Sequence, residues 1–117
     1  MSSFTTALVG LLEASGCFPG ASRVELDEIA SAGCEIEVDP GRVLALPQVR
    51  VDDLLVVVEG SAMRTVAGRH AELGPGAVIG GEALMGAAPS ATVEAATPMR
   101  LASIPVSRLN ELGWGGT

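Results

Sequence analysis

The chain predicts a mainly β fold: an antiparallel β-roll or jelly-roll barrel of about eight short strands, with two helices before it and one short helix after it. Three observations predict this. Apolar residues recur at helical spacing only near the two ends, and between residues 34 and 104 they alternate or run in short blocks. Fifteen glycines and seven prolines are spread along the chain, which suits many short elements joined by tight turns. The order helix, helix, strands, helix is that of a closed antiparallel sheet with helices at its ends. With 117 residues, 48% of them hydrophobic and 18% charged, the chain reads as a single domain, 1–117, able to bury a core. Phe4, Phe18 and Trp114 are the only aromatics, so that core is aliphatic.

Residues 5–15 read as a helix because Leu8, Leu11 and Leu12 make one apolar stripe, and Gly16 ends it. Phe18-Pro19-Gly20 is a turn with Phe18 as an aromatic plug. Ser22 and Glu25 have the spacing of a capping box, opening a helix over 22–32 that carries Leu26, Ile29 and Ala30 on one face and stops at Gly33. Cys34, Ile36 and Val38 then alternate with Glu35 and Glu37, as in a strand with one wet face. After the Asp39-Pro40-Gly41 turn come a strand over Val43–Leu46 and, past Pro47, a short edge strand over Val49–Val51. Leu54–Val58 is apolar throughout, which predicts a central strand covered on both faces. Glu59-Gly60 and Ala67-Gly68 turn the chain into Ser61–Val66 and Arg69–Leu73; Ser90–Ala96 and Met99–Ile104, split by Thr97-Pro98, complete the strands. Pro105 suits the first position of a last helix over 105–112, which Gly113 ends.

Charge excludes several function classes. Seven arginines, no lysine and fourteen acids give a formal charge of −7, with no basic face to displace counterions from nucleic acid. The same charge disfavours anionic membranes, and the apolar runs are far short of the roughly 20 residues that span a bilayer. No basic-then-apolar leader opens the chain. Cys17 and Cys34 read as buried thiols of a reducing cytoplasm, and no spacing suggests a metal site. Met63, Met85 and Met99 read as core filler. His70, the one histidine, reads as a hairpin surface residue, so a metal-dependent barrel enzyme is not expected.

The stretch Gly74–Val93 is the one place where a ligand would meet bare backbone. Gly80-Gly81 lacks any Cβ, so its N–H groups can turn toward an anion, or the glycines simply let the chain bend between strands.

Laid out this way, the chain resembles the cyclic nucleotide-binding domain of bacterial transcription regulators, kinase regulatory subunits and gated channels. The resemblance covers nearly the whole chain. It rests on the two opening helices with Phe18, the strand and Gly-bearing turn at Glu35–Leu44, and Asp53-Leu54-Leu55-Val56-Val57-Val58-Glu59-Gly60. Leu73-Gly74-Pro75-Gly76 and Ala91-Thr92-Val93-Glu94-Ala95 then follow in the family's order. It implies a phosphate-binding cassette, in which a Gly-Glu pair holds the ribose 2′-hydroxyl, an Arg holds the cyclic phosphate, and a Ser or Thr follows the Arg.

Counted back from Ala91, that Arg position holds Pro89, which has neither charge nor N–H. Counted forward, Gly80 matches the cassette glycine with Gly81 at the Glu position; a shift of one reads Gly81-Glu82 as the pair. Ser90 stands at the hydroxyl position. The implied pocket is Gly80, Gly81, Glu82, Ala83, Leu84, Ser90, Ala91 and Thr92, and Arg64, Arg69 and Arg100 lie on other strands. No long dimerisation helix or helix-turn-helix follows, so a DNA-binding output is not expected. Trp114 either folds back on the roll or anchors a partner. The expectation is a cytoplasmic, bacterial, non-enzymatic regulatory or protein-interaction module with another protein as its partner and homo-oligomers open. It uses no cofactor and lacks ordinary cAMP or cGMP binding; the alternative is an atypical sensor of a cyclic nucleotide or small ligand, using Glu82 and Ser90.

Overall fold

A computed structural model describes residues 3–114. Helices α1 (Ser3–Ser15) and α2 (Arg23–Ser31) come first, then strands β1 (Cys34–Val38), β2 (Val43–Ala45), β3 (Asp53–Glu59), β4 (Ala62–Val66), β5 (Arg69–Leu73) and β6 (Val78–Ile79). A 3-10 helix, Gly81–Met85, precedes β7 (Thr92–Ala95), β8 (Met99–Pro105) and helix α3 (Val106–Glu111). The strands form two four-stranded antiparallel sheets, ordered β1-β8-β3-β6 and β2-β7-β4-β5. This is the β-roll that the alternation of short apolar blocks predicts.

Helix α2 begins where its capping box places it. The Ser22 hydroxyl accepts from Glu25 N–H at 3.2 Å, and the Glu25 carboxylate accepts from Ser22 N–H at 3.0 Å. Its buried side chains are Leu26, Ile29 and Ala30, and α1 buries Leu8, Val9 and Leu12. These pack with Phe18, Leu54, Val56, Ala102, Ile104 and Leu109, so one core layer lies between the helices and the first sheet. A second layer, Val38, Ala45, Val57, Ala62, Ile79, Val93, Ala95, Met99 and Leu101, fills the roll between the sheets. Strand β3 feeds both layers and sits between β8 and β6, the central and doubly covered position its continuous apolar run predicts.

Several expectations are corrected. Val49–Val51 is not a strand: after Pro47, Gln48 takes a left-handed φ of 64° and its N–H donates to Pro89 O, which commits the segment to a loop against the residues before β7. Val78–Ile79, to which the sequence reading assigns no strand, is a strand paired with β3. Pro105 ends β8 and caps α3 from outside, at φ −60° and ψ 130°, so the helix starts one residue later. Met85 is 82% exposed rather than core, because the 3-10 helix turns that side chain outward; Met99 is buried. His70, as expected, is exposed on the β4–β5 hairpin, with Nδ1 2.9 Å from the Thr65 hydroxyl.

The cysteines separate as well. Both are free, Cys17 is half-buried and Cys34 is exposed at the start of β1, where its strand has no cover. Burial pushes the Cys17 thiol above its ordinary pKa, leaving less thiolate to react. Titration with a chromogenic disulfide at pH 8 is therefore expected to be biphasic, with Cys34 reacting first. A Cys34→Ser variant that keeps the fast phase contradicts this assignment.

Candidate ligand site

The resemblance points to the space between β6, the 3-10 helix and β7. Gly80, at φ 87°, is what lets the chain leave β6 and enter the helix. A Cβ there would stand in tight contact, 3.1 Å from Val51 Cγ2, on a left-handed backbone that strains any side chain. The helix ends at Gly86, also left-handed at φ 74°. The Arg50 guanidinium donates to Gly86 O at 3.1 Å, tying the loop before β3 to this end of the helix.

A cavity of about 50 Å³ opens at this point, lined by Ala45, Arg64, Leu73, Val78, Ile79, Gly80, Glu82, Pro89, Ala91 and Val93. Three of the predicted pocket residues meet here: Gly80, Glu82 and Ala91. The carboxylate in the lining is Glu82, and Gly81 lies outside it. Pro89 is buried in the wall, with no charge to offer.

The remaining predicted residues lie elsewhere. Thr92 is opposite Thr65 on the outward face of its strand, because Ala91, Val93 and Ala95 take the inward positions by alternation. Ser90 is exposed, Leu84 packs toward the core under the helices, and Ala83 lines a different space. That second cavity, about 450 Å³, lies between the Arg50–Asp52 loop, the 3-10 helix and α3, with Ser107 and Asn110 on its far wall.

Arg64, which the sequence places on another strand without showing whether it reaches in, is in the lining. It pairs with Ala71 and Val93 in the middle of its sheet, on the inward side with Ala62. The signal was the alternation Ala62, Arg64, Val66, but Met63 and Ala62 are both apolar, so the sequence does not say which side faces in.

Trp114 packs edge-on against Phe18, with ring centroids 5.2 Å apart at 83°, and its backbone N–H donates to Leu109 O at 2.8 Å. The ring is half-buried against the helical core layer, which supports the fold-back alternative; no described helix is long and apolar enough to cross a membrane.

The family model for the cyclic nucleotide-binding domain matches residues 35–113, more than half of the chain. Solved structures that share the fold include two from protein kinase A regulatory subunits. The regulatory domain of Toxoplasma gondii PKA with cAMP has a TM-score of 0.82 at 21% identity, covering 92% of this chain and 44% of its own. The regulatory subunit of a cAMP-independent protein kinase A from Trypanosoma cruzi, bound to guanosine, has a TM-score of 0.85 at 16% identity, covering 96% of this chain and 42% of its own. The chain thus spans less than half the length of either. No curated protein is a significant sequence match.

Proposed function

The chain belongs to the cyclic nucleotide-binding domain family, and from that premise we propose that it is a small non-enzymatic regulatory module acting on another protein, with a pocket that does not take cAMP or cGMP in the family's manner. The observation that carries this reading is the pocket itself: Pro89 fills the wall where the resemblance implies an arginine, and the free space is about 50 Å³. Ligand pockets for molecules of nucleotide size run from about 300 Å³ upward. Loss of a charged hydrogen bond to the phosphate costs about 1.5–3 kcal/mol, roughly ten- to a hundredfold in affinity. The neighbour from Trypanosoma cruzi, described as cAMP-independent, supports the idea that this roll serves regulation without cAMP.

The test is a thermal-shift titration with cAMP and cGMP. A ligand at 100 times its dissociation constant adds about 2.7 kcal/mol, which in a domain near 100 residues raises Tm by roughly ten degrees. The expected result is no movement at millimolar nucleotide. A rise of that size overturns the reading in favour of the sensor alternative, which Glu82 in the cavity wall supports.

A further inference from the structure

We infer that the free edge of β5 is a self-association surface, on which a second copy of this chain adds its own β5 antiparallel and joins the two β2-β7-β4-β5 sheets into one. The described residues leave four sheet edges, β1, β6, β2 and β5. An edge strand carries unpaired N–H and C=O groups that another strand can take up. Strands β6 and β2, of two and three residues, are too short to hold one. Strands β1 and β5 have five residues each.

Charge separates these two edges. Centred antiparallel pairing of β1 with its copy sets Glu35 opposite Glu37 twice, and like charges directly opposite destabilise a pair. Strand β5 reads Arg69-His70-Ala71-Glu72-Leu73, a segment of balanced charge in a chain of net charge −7. Its register follows from the hairpin. Ala67 and Gly68 have φ of 50° and 79°, the two positive values that a two-residue hairpin turn requires, so Val66 and Arg69 exchange both hydrogen bonds. By alternation Ala71 and Leu73 also turn their backbone groups toward β4, whereas His70 and Glu72 turn theirs to the open edge. No turn or loop bond among the described residues reaches those open groups. Facing residues must both turn outward, so a two-fold pairing sets His70 on His70, Glu72 on Glu72, or His70 on Glu72 of the copy. Only the last joins unlike groups, and it overlaps the whole strand, with Ala71 on the symmetry axis. Each of its two His70–Glu72 pairs exchanges both backbone hydrogen bonds.

The side chains suit that register. His70 and Glu72 are exposed on the same face of the sheet, beside Thr65 and Met63 of β4. The Thr65 hydroxyl engages His70 Nδ1 at 2.9 Å, which leaves Nε2 to donate to the Glu72 carboxylate of the copy. The same register brings Gly68 beside Gly74 of the copy. A Cβ at either meets nothing within 4 Å, so both ends of the strand leave the approach open. Five residues a side is less than a standard interface, so the dimer is weak and its population rises with concentration. His70 and Glu72 line neither cavity described above, so this association is independent of what the pocket accepts.

The experiment is sedimentation equilibrium of the intact chain from micromolar to millimolar concentration at pH 7, with NMR on a mixture of ¹³C-labelled and unlabelled copies. The expected result is a monomer–dimer equilibrium and an isotope-filtered NOE between the Ala71 α-protons of two copies, whose Cα atoms approach to about 4.5 Å in such a pair. His70→Glu and Glu72→Arg each weaken association at least tenfold, because each sets like charges opposite one another. Mixed in equal amounts the two variants associate again, since each then faces the other's opposite charge. A chain that stays monomeric at millimolar concentration overturns the inference. So does a dimer that lacks the Ala71 contact, or a mixture of folded variants that associates no better than either alone. The Ala71 contact in the unsubstituted chain decides the matter even where a variant fails to fold.

Discussion

Gly60→Ala is expected to destabilise the chain by about 3 kcal/mol or more, combining the left-handed backbone penalty with overpacking. Gly60 sits at φ 88° where the chain leaves β3 and the first sheet to enter β4 and the second. A Cβ there would lie 2.4 Å from Pro98 O, 2.9 Å from Thr97 Oγ1 and 3.0 Å from Met99 Cα. Two of those three atoms are backbone, one in the return crossover from β7 and one in the first residue of β8, so the added carbon has no flexible neighbour to displace. The two crossovers are also bonded together, with Ser61 N–H donating to Thr97 Oγ1 at 2.9 Å and Ala96 N–H to Ser61 O at 3.0 Å. Gly68→Ala is the internal control: its φ is 79°, yet nothing lies within 4 Å of the added carbon. It is expected to cost only about 1–2 kcal/mol, the backbone term. Thermal denaturation of both variants checks this; equal losses contradict the steric account of Gly60.

Leu109→Ala is the other change with a large expected effect, about 2–5 kcal/mol for a fully buried leucine. Helix α3 has six residues and one buried side chain, Leu109, at 0% exposure. A helix this short has little stability of its own, so its place is set by packing. Leu109 meets β8 residue Ile104 and the helical layer in one cluster, and its carbonyl holds Trp114 N–H. Trp114 is the only tryptophan, so its fluorescence reports on the docking of α3 against Phe18. The variant is expected to show a red-shifted emission at temperatures where the far-ultraviolet circular dichroism of the roll is still native. Unchanged emission together with unchanged Tm contradicts the packing described for this helix.

Elements with strong local signals were legible in the sequence: the capping box at Ser22, the Leu8 stripe, the continuous apolar strand from Leu54 and the Ala67-Gly68 hairpin. In each, local chemistry and long-range packing demand the same residues. The misreadings fall where packing decided alone. Cys34 and Met85 are apolar residues whose cover depends on neighbours distant in sequence, and Val49–Val51 has strand-forming residues but spends its approach on a bond from Gln48 to Pro89. At the site, Gly80, Glu82 and Ala91 were among the residues named from the sequence, and all three are in the cavity lining. Arg64 could not be placed, because its position in the lining requires the inward face of β4 to be known, and that follows from its pairing with β7.

The central claim concerns what the pocket accepts, and a calorimetric titration of the intact chain with cAMP, carried to millimolar concentration, tests it most directly. The account predicts only heats of dilution. A saturable heat with a micromolar dissociation constant and one site per chain contradicts it.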